Sequence, residues 1–179
     1  MSQIGAVYGQ ALYDLAKEEN LSDKILQELT VLEESLHAEP QFLRLLSAPN
    51  VAAAERCGIL DECFQGKVQS YVLNFLKILT EKGLAKSFFD CVGAYREHYN
   101  RDHNILPVTA VTAVPLSGEQ LNRLTEKLSA ITGKAAQVDN RVDPDCLGGV
   151  RLDYDGKRVD GSVASRLESV RNMLKNTVL

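Results

Sequence analysis

A change in hydrophobic rhythm near residue 104 constrains this chain more than any other feature. Up to Asn104, apolar residues recur at helical spacing with short breaks between segments. From Ile105 to Val114 the chain turns to Ile, Val and Thr, residues that fit a pleated sheet. Helices gathered before strands imply separate layers, or separate domains, rather than one alternating α/β sheet. The expected fold class is therefore α+β overall: an all-α bundle of six helices over residues 1–104, then a small α+β domain over residues 105–179, with residues 100–104 as the linker. A length of 179 residues allows two small cores.

Local signals mark the helices. Ile4, Val7, Tyr8, Ala11, Leu12 and Leu15 keep the i, i+3, i+4 rhythm of one face in the first helix. Ile25, Leu29, Leu32 and Leu36 do so in the second, with Ser22 as the expected N-cap. Pro40 can open a third helix through Phe42, Leu43 and Leu46, which stops near Pro49-Asn50. A fourth is expected over 52–64, a break at Gly66, and a fifth over 67–82 closed by Gly83. The sixth carries Phe88, Phe89, Val92, Tyr95 and Tyr99.

In the second half, Ser117 and Gln120 have capping-box spacing before Leu121, Leu124, Leu128 and Ile131, and Gly133 ends that helix. Ala136, Val138 and Val142 alternate with polar residues as in a half-buried strand, Asn140 being the imperfect member. Asp155-Gly156 is a type I′ turn pair. A two-residue loop there places Leu152 opposite Val159 on the buried side, Asp153 opposite Arg158, and Arg151 opposite Asp160. Ser162 can cap a last helix with Val163, Leu167, Val170 and Leu174 on one face.

Motifs for chemistry are missing. With 20 basic against 24 acidic residues the net charge is −4, and no basic stripe interleaved with aromatics suits nucleic acid. Residues 1–104 hold 10 basic and 15 acidic groups, and 105–179 hold 10 and 9. Cys57, Cys63, Cys91 and Cys146 form no C-x-x-C pair, so neither a zinc site nor a dithiol is expected. His37, His98 and His103 share no face with metal-ligand spacing, and read as surface or hinge residues. Gly133-Lys134 and Gly156-Lys157 lack the rest of a phosphate loop. Gly148-Gly149 reads as a turn into the hairpin, and the aspartates from Asp143 to Asp160 fail the calcium-loop spacing. No stretch reaches the roughly 20 apolar residues needed to span a bilayer. Residues 1–12 resemble no signal peptide, so the protein is expected to work in the compartment where it is made, save where a transit segment has been removed. No cofactor is expected.

The fifth helix has surplus apolar surface. Tyr71, Val72, Phe75, Leu76, Ile78 and Leu79 span about 160° of its circumference and Leu73 widens this to about 220°, whereas a stripe of little over 100° suffices to face a core. Either this is the central helix, covered by its neighbours, or part of it stays bare and, with the first helix, forms a groove for an amphipathic helix of another protein.

Motifs along the whole chain resemble the delta subunit of bacterial F-type ATP synthases, relatives of the mitochondrial oligomycin-sensitivity-conferring subunit. The stretch from Val7 to Ala16 is similar to that family's first helix, with Gly9 where alanine is usual. The sequences from Leu147 to Leu152 and from Val159 to Val163, followed by Leu167, resemble its C-terminal signature. Asn74-Phe75-Leu76 and Glu81-Lys82-Gly83 resemble its middle, with Leu84 where arginine is common.

The resemblance implies a non-catalytic stator subunit that keeps the catalytic head from turning with the rotor. It implies that the N-terminal helix of an alpha subunit binds between the first and fifth helices, at Tyr8, Ala11, Leu15, Phe75, Ile78 and Leu79. The b subunits of the peripheral stalk would meet the C-terminal domain at Val163, Leu167, Val170 and Leu174, residues that also suit a core face. The protein would sit on the cytoplasmic face of the inner (plasma) membrane, touching it only through the complex. A helical adaptor outside the synthase, and a small enzyme with a site between the domains, remain the alternative readings.

Overall fold

The computed structural model describes residues 3–167. The chain divides into two compact units, Met1–Tyr99 and Asn100–Leu179. The fold is α+β. Among the described residues the first unit has six α-helices: α1 (Gln3–Glu18), α2 (Ser22–Ala38), α3 (Pro40–Leu46), α4 (Ala53–Phe64), α5 (Ser70–Glu81) and α6 (Phe88–Asp102).

Turn chemistry sets the helix ends. Asn20, at φ 56°, closes α1: its N–H donates to Lys17 O, and the Leu21 N–H reaches back to Ala16 O at 2.8 Å. Gly83, at φ 69°, closes α5 with the same pair of bonds, to Thr80 O and from Leu84 to Leu79 O. Ser22 is not the N-cap of α2. Leu21 holds that place without a side-chain bond, because the turn at Asn20 delivers the chain directly into the helix. The carbonyl of Ser22 accepts instead from the Tyr95 hydroxyl at 2.9 Å. α5 begins later than residue 67, since the positive φ of Gly66 makes a turn whose Gln69 N–H is held by the Glu28 carboxylate at 2.7 Å.

The core of this unit follows the spacing in α2, where Ile25, Leu29, Leu32 and Leu36 are all buried. Arg56 of α4 is also buried, at 8% exposure, and its guanidinium donates to Leu46 O at 2.6 Å, satisfying a carbonyl in the last turn of α3. α6 continues through Asp102, so residues 100–102, read from sequence as linker, form its last turn.

The second unit contains β1 (Ile105–Thr112), α7 (Gly118–Thr132), β2 (Ala135–Val142), β3 (Val150–Tyr154) and β4 (Lys157–Asp160). The sheet order is β2-β1-β3-β4, parallel between β1 and β2 and antiparallel elsewhere. The capping box of α7 forms, with Ser117 and Gln120 exchanging side-chain and backbone bonds, and Gly133 ends the helix at φ 67°. Leu121, Leu124 and Leu128 pack on Leu106, Val108, Ala110, Ala136 and Val138. Ile131, in the last turn, lies on the edge of that stripe and is exposed.

Asn140 explains its own departure from alternation. Its amide donates to Ala110 O and Thr112 Oγ1, each at 2.9 Å, and its carbonyl accepts from Leu116 N at 2.8 Å, tying the segment before α7 to the parallel strand pair. Asn140→Ala strands these half-buried groups. It is expected to lower the unfolding free energy of the unit by about 1–3 kcal/mol. A urea midpoint equal to that of the wild type would refute that role.

The hairpin has the expected register: Leu152 opposite Val159, Asp153 opposite Arg158, Arg151 opposite Asp160. Asp155 and Gly156 both have positive φ, as a type I′ turn requires. Two details differ. Val159 is exposed, because β4 is an edge strand all of whose residues are exposed. Arg151 pairs with Asp153 at 3.6 Å and Asp143 at 3.9 Å, while the Asp160 carboxylate takes the Ser162 N–H at 2.9 Å.

Candidate docking surfaces

α1 has two apolar faces. The inner one is Gly5, Gly9, Leu12, Tyr13 and Ala16, all buried. The outer one, roughly 130° around the helix, is Ile4, Val7, Ala11 and Leu15, with half-buried Tyr8 beside it. Val7 is 61% exposed, Ile4 40% and Leu15 36%. The stripe read from sequence as a single helix face is thus mostly the outer surface, and of its members only Leu12 is buried.

The cause lies in the small residues. A Cβ at Gly5 would overlap Asp90, and one at Gly9 would overlap the Cys91 carbonyl and stand 2.7 Å from the Ala94 Cβ. α1 therefore lies against α6 at backbone contact, which draws Leu12, Tyr13 and Ala16 inwards and turns the larger Ile4, Val7 and Leu15 out.

α5 is more deeply embedded. Val72, Leu73, Phe75, Leu76, Leu79 and Thr80 are buried, leaving Ile78 at 42% exposure and Tyr71 half-buried, with Asn74 and Glu81 exposed beside them. Phe75 and Leu79, expected at a contact, are core residues that support the surface from beneath. Lys77 is bound to Asp61 of α4 at 2.7 Å. Tyr8, Ala11, Leu15 and Ile78 thus keep exposed area on two helices that share one core, and the carboxylates of Asp14 and Glu18 border the α1 stripe.

The second surface surrounds Ser162. Its hydroxyl accepts from the Ser165 N–H at 3.2 Å, capping helical residues 163–167. Val163 and Leu167 are exposed, and Val170 and Leu174 lie outside the described residues. Close backbone contacts account for Gly149 and Gly161 here. Gly149 has φ 77°, and a Cβ on it would stand 2.6 Å from Gly161 O, while Gly161 N–H donates to Val150 O and Val163 N–H to Gly148 O. Leu147, the first residue of the C-terminal signature, lies beside them at 67% exposure.

Electrostatics in this unit serve the hairpin. The Arg158 guanidinium, 2.7 Å away, holds the Asp153 carboxyl below its ordinary range, and the Ser162 backbone N–H does the same for Asp160. In the first unit, burial pushes the Cys91 thiol up to about 11, which keeps it protonated at neutral pH and a poor nucleophile. Among the described residues no three His, Cys, Asp or Glu side chains are grouped to hold a metal ion, and no helix is long and apolar enough to cross a membrane. The arrangement offers apolar contact surface on helices.

The profile of the ATP synthase delta (OSCP) subunit family matches residues 4–174. This chain belongs to that family. It is similar to ATP synthase subunit delta of Alkaliphilus oremlandii (strain OhILAs), 34% identical over 172 residues that cover 96% of either chain. Its identity to the Clostridioides difficile (strain 630) subunit is 31%, over 96% of this chain and 95% of that one. A chain of the Toxoplasma gondii mitochondrial ATP synthase hexamer shares the fold, with a TM-score of 0.76 at 21% identity, covering 97% of this chain and 98% of that one. As a delta (OSCP) subunit, the chain is a structural component of the stator, the peripheral stalk of an F-type ATP synthase, and so part of a membrane-associated complex.

Proposed function

We propose that the first unit docks the amphipathic helix at the N-terminus of an alpha subunit on the bare stripes of α1 and α5, and that the second unit holds the ends of the b subunits. The subunit then acts as a non-catalytic tie that transmits the stalk's resistance to the head, on the cytoplasmic face of the inner membrane and in contact with the membrane only through the complex. The observation that carries the reading is the outer apolar face of α1, which the unit's own fold leaves open. Burying apolar area at about 25 cal/mol per Å² supplies the attraction, and the acidic border contributes chiefly to the rate of encounter.

Titration calorimetry of the full chain with an alpha N-terminal segment tests the first half of this reading, and saturable binding is expected. Affinity capture from detergent-solubilised membranes tests the whole, with alpha, beta and b subunits expected in the eluate. Capture of none of the three would overturn the proposed tie between head and stalk.

A further inference from the structure

The sequence contains two Asp-Gly pairs, Asp155-Gly156 and Asp160-Gly161, and no Asn-Gly. Asp-Gly is chemically labile, because the backbone N of the second residue can attack the side-chain carboxyl of the first, and glycine has no Cβ to stand in the way. Nothing in the two dipeptides themselves distinguishes them. The structure separates them.

Asp160-Gly161 is locked. The attacking atom is engaged, since the Gly161 N–H donates to Val150 O at 3.0 Å. The carboxyl is engaged as well: the Asp160 carboxylate accepts from the N–H of buried Ser162 at 2.9 Å. That bond holds the carboxyl below its ordinary range, in the ionised form, which is a poor acceptor for a nucleophile. A Cβ at Gly161 would stand 3.1 Å from Val150 O, so the backbone has little room to turn.

Asp155-Gly156 has none of these restraints. Both residues are exposed at the tip of the type I′ turn, and among the described residues neither the Asp155 carboxylate nor the Gly156 N–H has a hydrogen-bond partner. The space beside Gly156 is open, with no atom within 4 Å of where a Cβ would be. β4, on one side of the turn, is exposed throughout, so opening the tip to bring Cγ onto the Gly156 N uncovers no core.

We propose that Asp155-Gly156 is a modification site at which the chain isomerises to isoaspartate, making the turn a substrate for a protein carboxyl methyltransferase, while the fold protects Asp160-Gly161. The Gly156 N attacks Cγ of the protonated Asp155 carboxyl; the N–Cγ bond forms, and the amide proton and the carboxyl hydroxyl leave as one water. Water then adds to the resulting ring at the Asp155 main-chain carbonyl and breaks its bond to the Gly156 N. That carbonyl becomes a free carboxyl group, and the backbone now runs through Cβ and Cγ. One water is lost and one gained, so the composition is unchanged and no oxidant or reductant takes part. In the methyltransferase step an oxygen of the freed carboxylate takes the methyl group of a sulfonium donor, which leaves as a neutral thioether. The lengthened backbone no longer fits a two-residue type I′ loop, so the Tyr154–Lys157 pair beside the turn is expected to open.

The test ages the full-length chain in water enriched in heavy oxygen, both folded and in guanidinium chloride. The chain is then cut after Lys and Arg and mapped by mass spectrometry with electron-transfer fragmentation. The cuts place the two pairs in different peptides, 152–157 and 159–166. In the folded chain, 152–157 is expected to yield an isoaspartyl form carrying heavy oxygen about tenfold or more faster than 159–166, where two hydrogen bonds must open first. In guanidinium the two peptides are expected to convert at similar rates. A purified isoaspartate methyltransferase with labelled S-adenosylmethionine is expected to label aged wild type and Asp160→Glu, and not Asp155→Glu, whose longer side chain would have to close a six-membered ring.

An unchanged 152–157 in the folded chain, with conversion in guanidinium, would show that the turn protects Asp155 and would overturn the proposal. Equal rates for the two peptides in the folded chain would overturn the protection of Asp160. So would a contrast that persists in guanidinium, because it would come from local sequence and not from the fold. Methyl acceptance that survives in Asp155→Glu would place the reactive residue elsewhere and remove this site.

Discussion

Ile78→Asp is expected to weaken binding of an alpha-subunit N-terminal helix by about thirtyfold or more, roughly 2 kcal/mol, while the chain keeps its wild-type melting temperature. The two halves of that result have separate causes. Ile78 is 42% exposed, so a carboxylate there remains hydrated in the free protein. In the complex the same carboxylate meets an apolar helix face and loses its water without a partner, which is the costly event. Tyr8→Asp is expected to act in the same direction, with some loss of stability because Tyr8 also packs against the core.

Phe75 supplies the contrast. It is 6% exposed, and its truncation to alanine removes core packing, so Phe75→Ala should lower stability by about 3–5 kcal/mol before any contact is considered. Circular dichroism melts with calorimetric titrations of the three variants separate the classes. Wild-type affinity in Ile78→Asp would remove α5 from the dock.

A stability loss of similar size is expected from Gly9→Leu. The added atoms meet the Cys91 carbonyl and the Ala94 Cβ, and the carbonyl belongs to a helix backbone that cannot swing aside. α1 must lift from α6, which uncovers Leu12, Tyr13 and Ala16. Overpacking of about 1–3 kcal/mol combines with that lost burial, so a decrease of about 3 kcal/mol or more is expected, comparable to a large part of the stability of a small domain. Chemical denaturation followed by helix signal reads it. A midpoint within error of wild type would show that α1 and α6 are not in backbone contact at this position. Binding of the alpha segment should fall in parallel, because the outer stripe of α1 is oriented by the inner contact.

Much of the fold was legible from neighbours in sequence. Gly83, Gly133 and the Ser117–Gln120 pair mark helix ends through bonds that span a few residues, and the Asp155-Gly156 turn sets a register that all three cross-strand pairs obey. Ile25, Leu29, Leu32 and Leu36 are buried as their spacing requires, because α2 has a single large apolar stripe. Ser22 misled, since the geometry of an N-cap depends on how the preceding turn delivers the chain, and Asn20 delivers it one residue early.

The proposed docking surface was half legible. The chain advertises more apolar residues on its first and fifth helices than a core needs, but not which of them are bare. Phe75 and Ile78 are three positions apart and equally hydrophobic in a pattern, yet only Ile78 is exposed. On α1 the most apolar stripe is the outer face and not the buried one, because burial there follows the closeness of two backbones, and glycine contributes to closeness without contributing apolar area.

Secondary structure, caps, hairpin register and the α+β division were thus determined by the sequence itself, through interactions whose partners lie within a few residues and whose geometry is nearly independent of the remainder. Which side of α1 and α5 faces water, and which of the two Asp-Gly pairs is held by hydrogen bonds, were decided only by tertiary structure. The physical reason is that a side chain is buried by whatever atoms arrive from distant parts of the chain, and their distance of approach, set here by Gly5 and Gly9 against α6 and by Gly149 against Gly161, has no periodicity to read.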